Sequence, residues 1–219
     1  MAYYYVASCM FTANFPKTSF MIQNYIKSKS DIKIVRCCIP NYKVEYNTRR
    51  ISECAVQNEW KQLPVSKVFQ PGDTVISVCH NCTNIVEEWR VGTKAISLWE
   101  VIDHDPVFPF PDYNGLEVTI QDCWRTRERR SEQEAVRSIL RKMNIKFVET
   151  KKNHEETDFC GSTLYREQPE EQVSIMHNYC RQYQTEMVVC YCHYCLEGLL
   201  QGDVNGQHIA NLLFNKNPL

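Results

Sequence analysis

Thr74-Val-Ile-Ser-Val-Cys-His-Asn-Cys82 and Glu186-Met-Val-Val-Cys-Tyr-Cys-His-Tyr-Cys195 are one pattern written twice. Each begins with a short, largely apolar or β-branched run, which reads as a strand. Each run ends in Cys-His-x-Cys, and helical spacing resumes beyond it. A helix just after Cys82 would carry Ile85, Val86 and Trp89, and Leu196 to Leu200 continue the second copy as helix. A strand that delivers two thiols at its C-terminal end and turns into a helix is half of a βαβ unit, and such units stack into parallel sheets.

The flanking sequence repeats in the same order. In the first copy Tyr3-Tyr-Tyr-Val6 is a strand leading to Cys9, and Pro16 to Lys29 has Phe20, Ile22, Tyr25 and Ile26 at helical spacing. Ile32-Lys-Ile-Val35 is a second strand, running into Cys37-Cys38. A polar helical stretch near Ile51 to Gln62 and a Pro71-Gly-Asp turn precede the third strand. In the second copy Leu116-Glu-Val-Thr-Ile120 leads to Cys123. Ser131 to Met143 is amphipathic, with Ala135, Val136, Ile139, Leu140 and Met143 on one face and Ser131 placed to cap three residues before Glu134. Ile145-Lys-Phe-Val148 is the next strand. The landmark cysteines are offset by 114 residues (9 to 123), 122 (38 to 160) and 113 (79 to 192), as an internal duplication leaves them. The expected fold is α/β: two tandem, duplicated subdomains with doubly wound, mostly parallel sheets. Residues 1–104 form the first, 105–115 a proline-rich linker containing Asp105-Pro-Val-Phe-Pro-Phe-Pro111, and 116–219 the second.

With 25 basic and 26 acidic residues spread along 219, the net charge of −1 gives no electrostatic case for nucleic acid or an anionic membrane surface. No apolar run approaches the roughly 20 residues needed to span a bilayer. The N-terminus has neither the basic region nor the long apolar core of a secretory leader, so the expected location is cytoplasmic. In that reducing compartment the 12 cysteines read as metal or cluster ligands ahead of disulfides. Two Cys-x-x-Cys pairs in matched positions, with further cysteines on neighbouring strands, suit either iron–sulfur or zinc. Adjacent residues on an extended backbone point to opposite sides, so Cys37 and Cys38 do not easily grip one small tetrahedral ion. Five cysteines in the first copy also exceed the four that zinc takes, which favours iron–sulfur there. In the second copy zinc stays open as the alternative. With seven glycines and no Gly-x-Gly-x-x-Gly, the chain lacks a flavin or nucleotide fingerprint, and its electrons must come from a partner.

Cys9, then Cys37-Cys38-Ile39, then Cys79-x-x-Cys82, followed by Cys123, Phe159-Cys160-Gly161 and Cys192-x-x-Cys195, resembles the cysteine-rich CCG domain. That domain occurs in the CCG-bearing subunit of heterodisulfide reductases, in the iron–sulfur subunit of glycolate oxidase and in a lactate-utilisation protein. Asp122-Cys123-Trp-Arg, Asp158-Phe-Cys-Gly161 and Asn205-Gly-Gln-His208-Ile-Ala-Asn-Leu-Leu add to the likeness, which covers essentially the whole chain. The resemblance implies that Cys9, Cys37, Cys38, Cys79 and Cys82 ligate one 4Fe–4S cluster, of the non-cubane kind that cleaves disulfides, and carry catalysis. It implies that Cys123, Cys160, Cys192 and Cys195 hold a second centre. It further implies a ferredoxin-like or flavoprotein electron donor and a small disulfide or thiol substrate; the other implied role is an electron relay with no substrate of its own. Two positions depart from the family pattern: Ile39 stands where the motif has Gly, and Phe159 where it has the first Cys of the pair. The second copy therefore keeps four ligands, enough for a cubane cluster or zinc, with Cys190 placed to substitute as a ligand.

Other residues have two readings each. Cys54 and Cys180 lie outside the repeat and read as small buried hydrophobes. His80 and His193 either serve the centre, by hydrogen bonds to sulfur or by proton delivery, or are turn residues facing solvent. Arg125, Arg127, Arg129 and Arg130 either meet an anionic partner or form the solvated face of a helix start. Trp124 reads as packing.

Overall fold

The computed structural model describes residues 1–35, 67–89, 92–158, 160, 169–180 and 182–215. Cys37, Cys38, Cys54, Phe159 and the Ile51–Gln62 stretch lie outside the described residues. The chain divides into two units, Met1–Leu98 and Trp99–Leu219.

In the first unit the strands are β1 (Tyr3–Val6), β2 (Ile32–Val35), β3 (Thr74–Ser77) and β4 (Lys94–Ser97). They form one parallel sheet in the order β2-β1-β3-β4. Cys9–Asn14 (α1) and Pro16–Lys27 (α2) connect β1 to β2, and His80–Trp89 (α3) connects β3 to β4. Pro16 sits at the first position of α2, where its missing N–H costs nothing. The stripe Thr18, Ile22 and Ile26 then repeats every four residues against the sheet. All four residues of β3 are buried, because helices of a parallel sheet cover both its faces. Leu98–Asp103 (α4) follows β4.

The second unit repeats the plan with β5 (Glu117–Gln121), β6 (Lys146–Glu149), β7 (Met187–Cys190) and β8 (Asn205–His208), in the parallel order β6-β5-β7-β8. Its helices are α5 (Arg130–Lys142), α6 (Pro169–Cys180), α7 (His193–Gln201) and α8 (Ile209–Phe214). The core joins Val118 and Ile120 of β5, Val188 and Val189 of β7, Val136, Ile139 and Leu140 of α5, and Leu199 of α7, all fully buried. Phe108, within the proline-rich segment, is buried against the rings of Phe110 and Phe214.

Paired strands start at Tyr3 and Glu117, Ile32 and Lys146, Thr74 and Met187, and Lys94 and Asn205, offsets of 114, 114, 113 and 111 residues. The α/β class and the doubly wound parallel sheets expected from sequence are therefore present, duplicated strand by strand. Several local expectations change. The helices after the Cys-x-x-Cys pairs begin at His80 and His193, so Cys82 and Cys195 lie in the first helical turn and not before it. Ser131 is inside α5, whose N-cap is Arg129 with no side-chain cap. Strands β4 and β8 and helices α1, α4, α6 and α8 add to the elements expected from sequence. In each sheet the chain reverses its winding between the two central strands, β1/β3 and β5/β7. This is the switch point, where open α/β sheets collect ligands at the C-terminal strand ends.

Candidate metal centre

At the switch point of the second unit, four cysteines converge. Cys123 follows β5, Cys192 follows β7 as the N-cap of α7, Cys195 lies in the first turn of α7, and Cys160 arrives from the segment after β6. The Sγ atoms of Cys195 and Cys160 are 3.7 Å apart, and those of Cys123 and Cys192 lie within 4.8 Å of each other. Cys195 is the hub, within hydrogen-bonding reach of Cys123, Cys160 and Cys192. Those three hydrogen bonds, together with burial, push its thiol pKa well up. All four are buried, the most exposed being Cys160 and Cys192 at 6 %. Thiols are weak hydrogen-bonding groups, and four in one dry pocket stabilise the fold poorly on their own. As thiolates they are a complete set for a cation or a cluster. The donor chemistry therefore fits a cysteine-bound metal.

Cys190, the last residue of β7, lies beside the set. Burial first, then its proximity to Cys192, holds its thiol pKa well above the ordinary range, and its Sγ donates to the Cys192 carbonyl at 3.6 Å. It is thus oriented toward backbone, with Cys160 and Cys123 also within electrostatic range.

A buried polar network fixes the loop that carries Cys123. Asp122, fully buried, receives both terminal nitrogens of Arg137, at 3.1 and 2.7 Å, while Arg137 reaches Glu149 through Nε and Nη2, each at 2.7 Å. Asp122 also accepts from the Tyr191 hydroxyl at 2.8 Å and from the His154 backbone N–H at 2.9 Å. Tyr191 Oη meets Thr126 Oγ1 at 2.8 Å and accepts from the Cys123 backbone N–H at 3.4 Å. Burial pushes the Asp122 carboxyl up, but the Arg137 guanidinium and the other donors outweigh it and hold the group below the usual carboxylate range. Asp122, Glu149 and His154 also have the spacing of a cation site. Arg137 already supplies the positive charge there, so the trio is an ion-pair network. Gln133 and Arg137, four residues apart on α5, are buried polar residues beside its apolar face of Val136, Ile139 and Leu140.

The arginine run after Cys123 serves the same loops. Arg127 Nε donates to the Thr157 carbonyl at 2.7 Å, bracing the segment just before Cys160, and Arg130 pairs with Glu134 and Glu155. Trp124 is 39 % exposed, with the guanidinium groups of Arg125 and Arg127 over its ring, and is not the packing residue expected. His193 is buried and stacks on Tyr194, with neither ring nitrogen hydrogen-bonded among the described residues. His80 is buried as well. The solvent-facing reading of both histidines is therefore overturned.

In the first unit Cys79 and Cys82 occupy the equivalent strand end and helical turn, both buried. Ser77 Oγ and Thr83 Oγ1 share a hydrogen bond at 2.6 Å, and both lie within reach of the Cys79 carbonyl, at 3.1 and 3.3 Å, so one hydroxyl donates to the other and the second to the carbonyl, which sets the turn between the two thiols. Cys9 opens α1 immediately beyond β1. The structure thus brings together all four second-half residues expected from sequence, and places the backbone of Cys9 and the buried Cys79 and Cys82 at the first unit's switch point.

No family model matches the sequence, and no curated protein does. Among solved structures the chain is similar to aspartate racemase of Picrophilus torridus, at 12 % identity over 97 % of this chain and 90 % of that one, with a TM-score of 0.35. It is likewise similar to an aspartate racemase homologue from Pyrococcus horikoshii OT3, at 11 % identity over 99 % and 97 % of the two chains and the same TM-score of 0.35. Likeness at that level carries no argument about activity.

Proposed function

We propose that this chain is an iron–sulfur redox protein of the CCG type, resembling the CCG-bearing subunit of heterodisulfide reductases, that passes electrons to a disulfide or similar small oxidant. The observation that carries the reading is the convergence of Cys123, Cys160, Cys192 and Cys195 in a dry pocket at a strand switch point, with Cys79 and Cys82 in the matching place of the first unit. Cys9, Cys37 and Cys38 complete the first set by resemblance. When bound, a cluster supplies a store for single electrons beside the substrate. The protein's part is to hold and desolvate the thiolates: the Ser77–Thr83 contact fixes the Cys79–Cys82 turn, and Asp122, Arg137 and Tyr191 fix Cys123. Reducing a disulfide takes two electrons and two protons and yields two thiols. The electrons come from a reduced ferredoxin-like or flavoprotein partner. Among the described residues no helix is long and apolar enough to cross a membrane.

One observation favours a different occupant for the second half. A tetrahedral zinc site with Zn–S near 2.3 Å has sulfurs about 3.8 Å apart. The Cys160–Cys195 separation of 3.7 Å matches it. In a cluster each cysteine binds its own iron, and the sulfurs stand farther apart. Anaerobic purification followed by iron, sulfide and zinc analysis decides. Iron and acid-labile sulfide near four per occupied site support the redox reading, and iron with one zinc supports a mixed chain. Zinc alone with no sulfide refutes the redox function.

A further inference from the structure

Two hydroxyl groups of the first unit, Tyr5 Oη and Ser8 Oγ, are buried and have no hydrogen-bond partner among the described residues. Buried polar groups are nearly always paired, so each orphan asks what it pairs with. Both lie on or just beyond β1, the neighbour of the strand that leads to Cys79. Val6 of β1 lies opposite Ser77 of β3, so Ser8 and Cys79 are each two residues beyond the same register pair, on neighbouring strand ends. Ser8 is the N-cap of α1, directly before Cys9, yet its side chain makes no capping bond. Tyr5 lies one residue earlier in the ladder, opposite Ile76. Cys82 and Cys79 lie within electrostatic range of the Tyr5 hydroxyl, and a phenol is a hydrogen-bond donor at neutral pH.

The second unit shows what these positions look like when the protein satisfies them itself. At the 114-residue offset of β1 and β5, Tyr5 corresponds to Thr119 and Ser8 to Asp122. Thr119 Oγ1 contacts Thr185 Oγ1 at 2.8 Å and accepts from the Gln184 backbone N–H at 3.2 Å, and Asp122 is fully engaged by Arg137, Tyr191 and His154. The duplication kept the strands and changed the hydrogen bonding at the centre.

We propose that Tyr5 and Ser8 are positioning residues whose hydroxyls donate hydrogen bonds to the sulfur of the metal group held by Cys79 and Cys82. The inference rests on the reading of these cysteines as ligands. Hydrogen bonds to sulfur stabilise the more negative, reduced state and raise the reduction potential. The first centre is thereby made easier to reduce.

The test uses the full chain in a Cys160→Ser background, so that the first centre reports alone, with Tyr5→Phe and Ser8→Ala added singly. Without metal, Tyr5→Phe raises the thermal midpoint, because it deletes an unsatisfied group and keeps the ring. After anaerobic reconstitution with ferrous iron and sulfide, both variants shift the EPR-monitored midpoint to more negative potential and lose iron to a chelator several-fold faster than the background chain. If the chain loads zinc instead, the same comparison is read from the rate at which a chelator strips zinc. Loaded variants that match the background chain in potential and in metal loss overturn the hydroxyl assignment and leave the ligand reading standing. A chain that loads neither iron nor zinc overturns the ligand reading, and the assignment with it.

Discussion

Replacing Arg137 by methionine separates a loop held by charge from one held by packing. Met keeps much of the side-chain volume and removes the guanidinium that Asp122 and Glu149 share. Glu149 is 34 % exposed and can rehydrate, whereas Asp122 is fully buried and cannot. Breaking a buried pair from one side costs about 3–5 kcal/mol, because the remaining charge is stranded. At roughly 1.4 kcal/mol per factor of ten, that lowers the protection of core amides by about 100- to 3,000-fold. Native-state hydrogen exchange at Val118, Ile120, Val188 and Val189 measures it within the second unit. Asp122→Asn added to Arg137→Met removes the stranded charge, so the double variant recovers part of the loss. This non-additivity is what contact between the two predicts.

The pH dependence has a definite sign. In the wild-type chain the Asp122 carboxyl is held low, so its contribution is complete above the unfolded value of about 3.9 and is lost as pH falls through the folded value. In Arg137→Met burial dominates and raises that carboxyl, so protonation relieves the variant. The gap between the two chains therefore narrows as pH falls through the variant's raised value and closes only once the wild-type carboxyl is also protonated. A loss under about 1 kcal/mol at pH 7, or a double variant worse than Arg137→Met alone, refutes the account in which Asp122 carries a buried charge that Arg137 neutralises.

Cys195→Ser removes the hub of the second set and lowers metal content by one centre per chain, while Cys38→Ser abolishes the first centre's signal and any disulfide reduction and spares the second; metal analysis with EPR separates the two. Gly206→Ala would place a Cβ 3.0 Å from Leu196 Cδ1 and from Leu199 Cβ. Overpacking of this kind costs about 1–3 kcal/mol, read as a lower thermal midpoint.

Sequence reveals most plainly the strands buried on both faces: Thr74–Ser77 and Met187–Cys190 are continuous apolar or β-branched runs because helices cover both sides. The fourth strands are hidden for the opposite reason. Asn205-Gly-Gln-His208 has no strand-forming residue, and its extended backbone is imposed by the ladder to Met187–Cys190. The early helix starts are equally unmarked, since Cys192 caps α7 without a side-chain bond. Cysteine spacing exposes the second-half site because the four thiols are rare residues, and Cys123 and Cys192 fall just beyond strand ends. The Asp122–Arg137–Glu149 network escapes such a reading because an arginine within a helix looks solvent-facing, and only the approach of β6 and the loop after β5 makes it a buried cation.

Comparing the halves position by position predicts that the two proposed centres would depend differently on metal. Around Cys123, the counterparts of Tyr5, Ser8 and Val78 are Thr119, Asp122 and Tyr191, which bond to protein groups and lock the loop whatever the pocket holds. Around Cys79 the same positions hold a valine and two hydroxyls that have no hydrogen-bond partner among the described residues. A pocket that leaves donors open gains more from an occupant than one that satisfies them beforehand, because ligand binding to the folded chain then supplies bonds the fold itself does not make. The first half should therefore stiffen on loading and the second change little. That difference lies in three positions, Tyr5 against Thr119, Ser8 against Asp122 and Val78 against Tyr191, on sheets that share strand order and register.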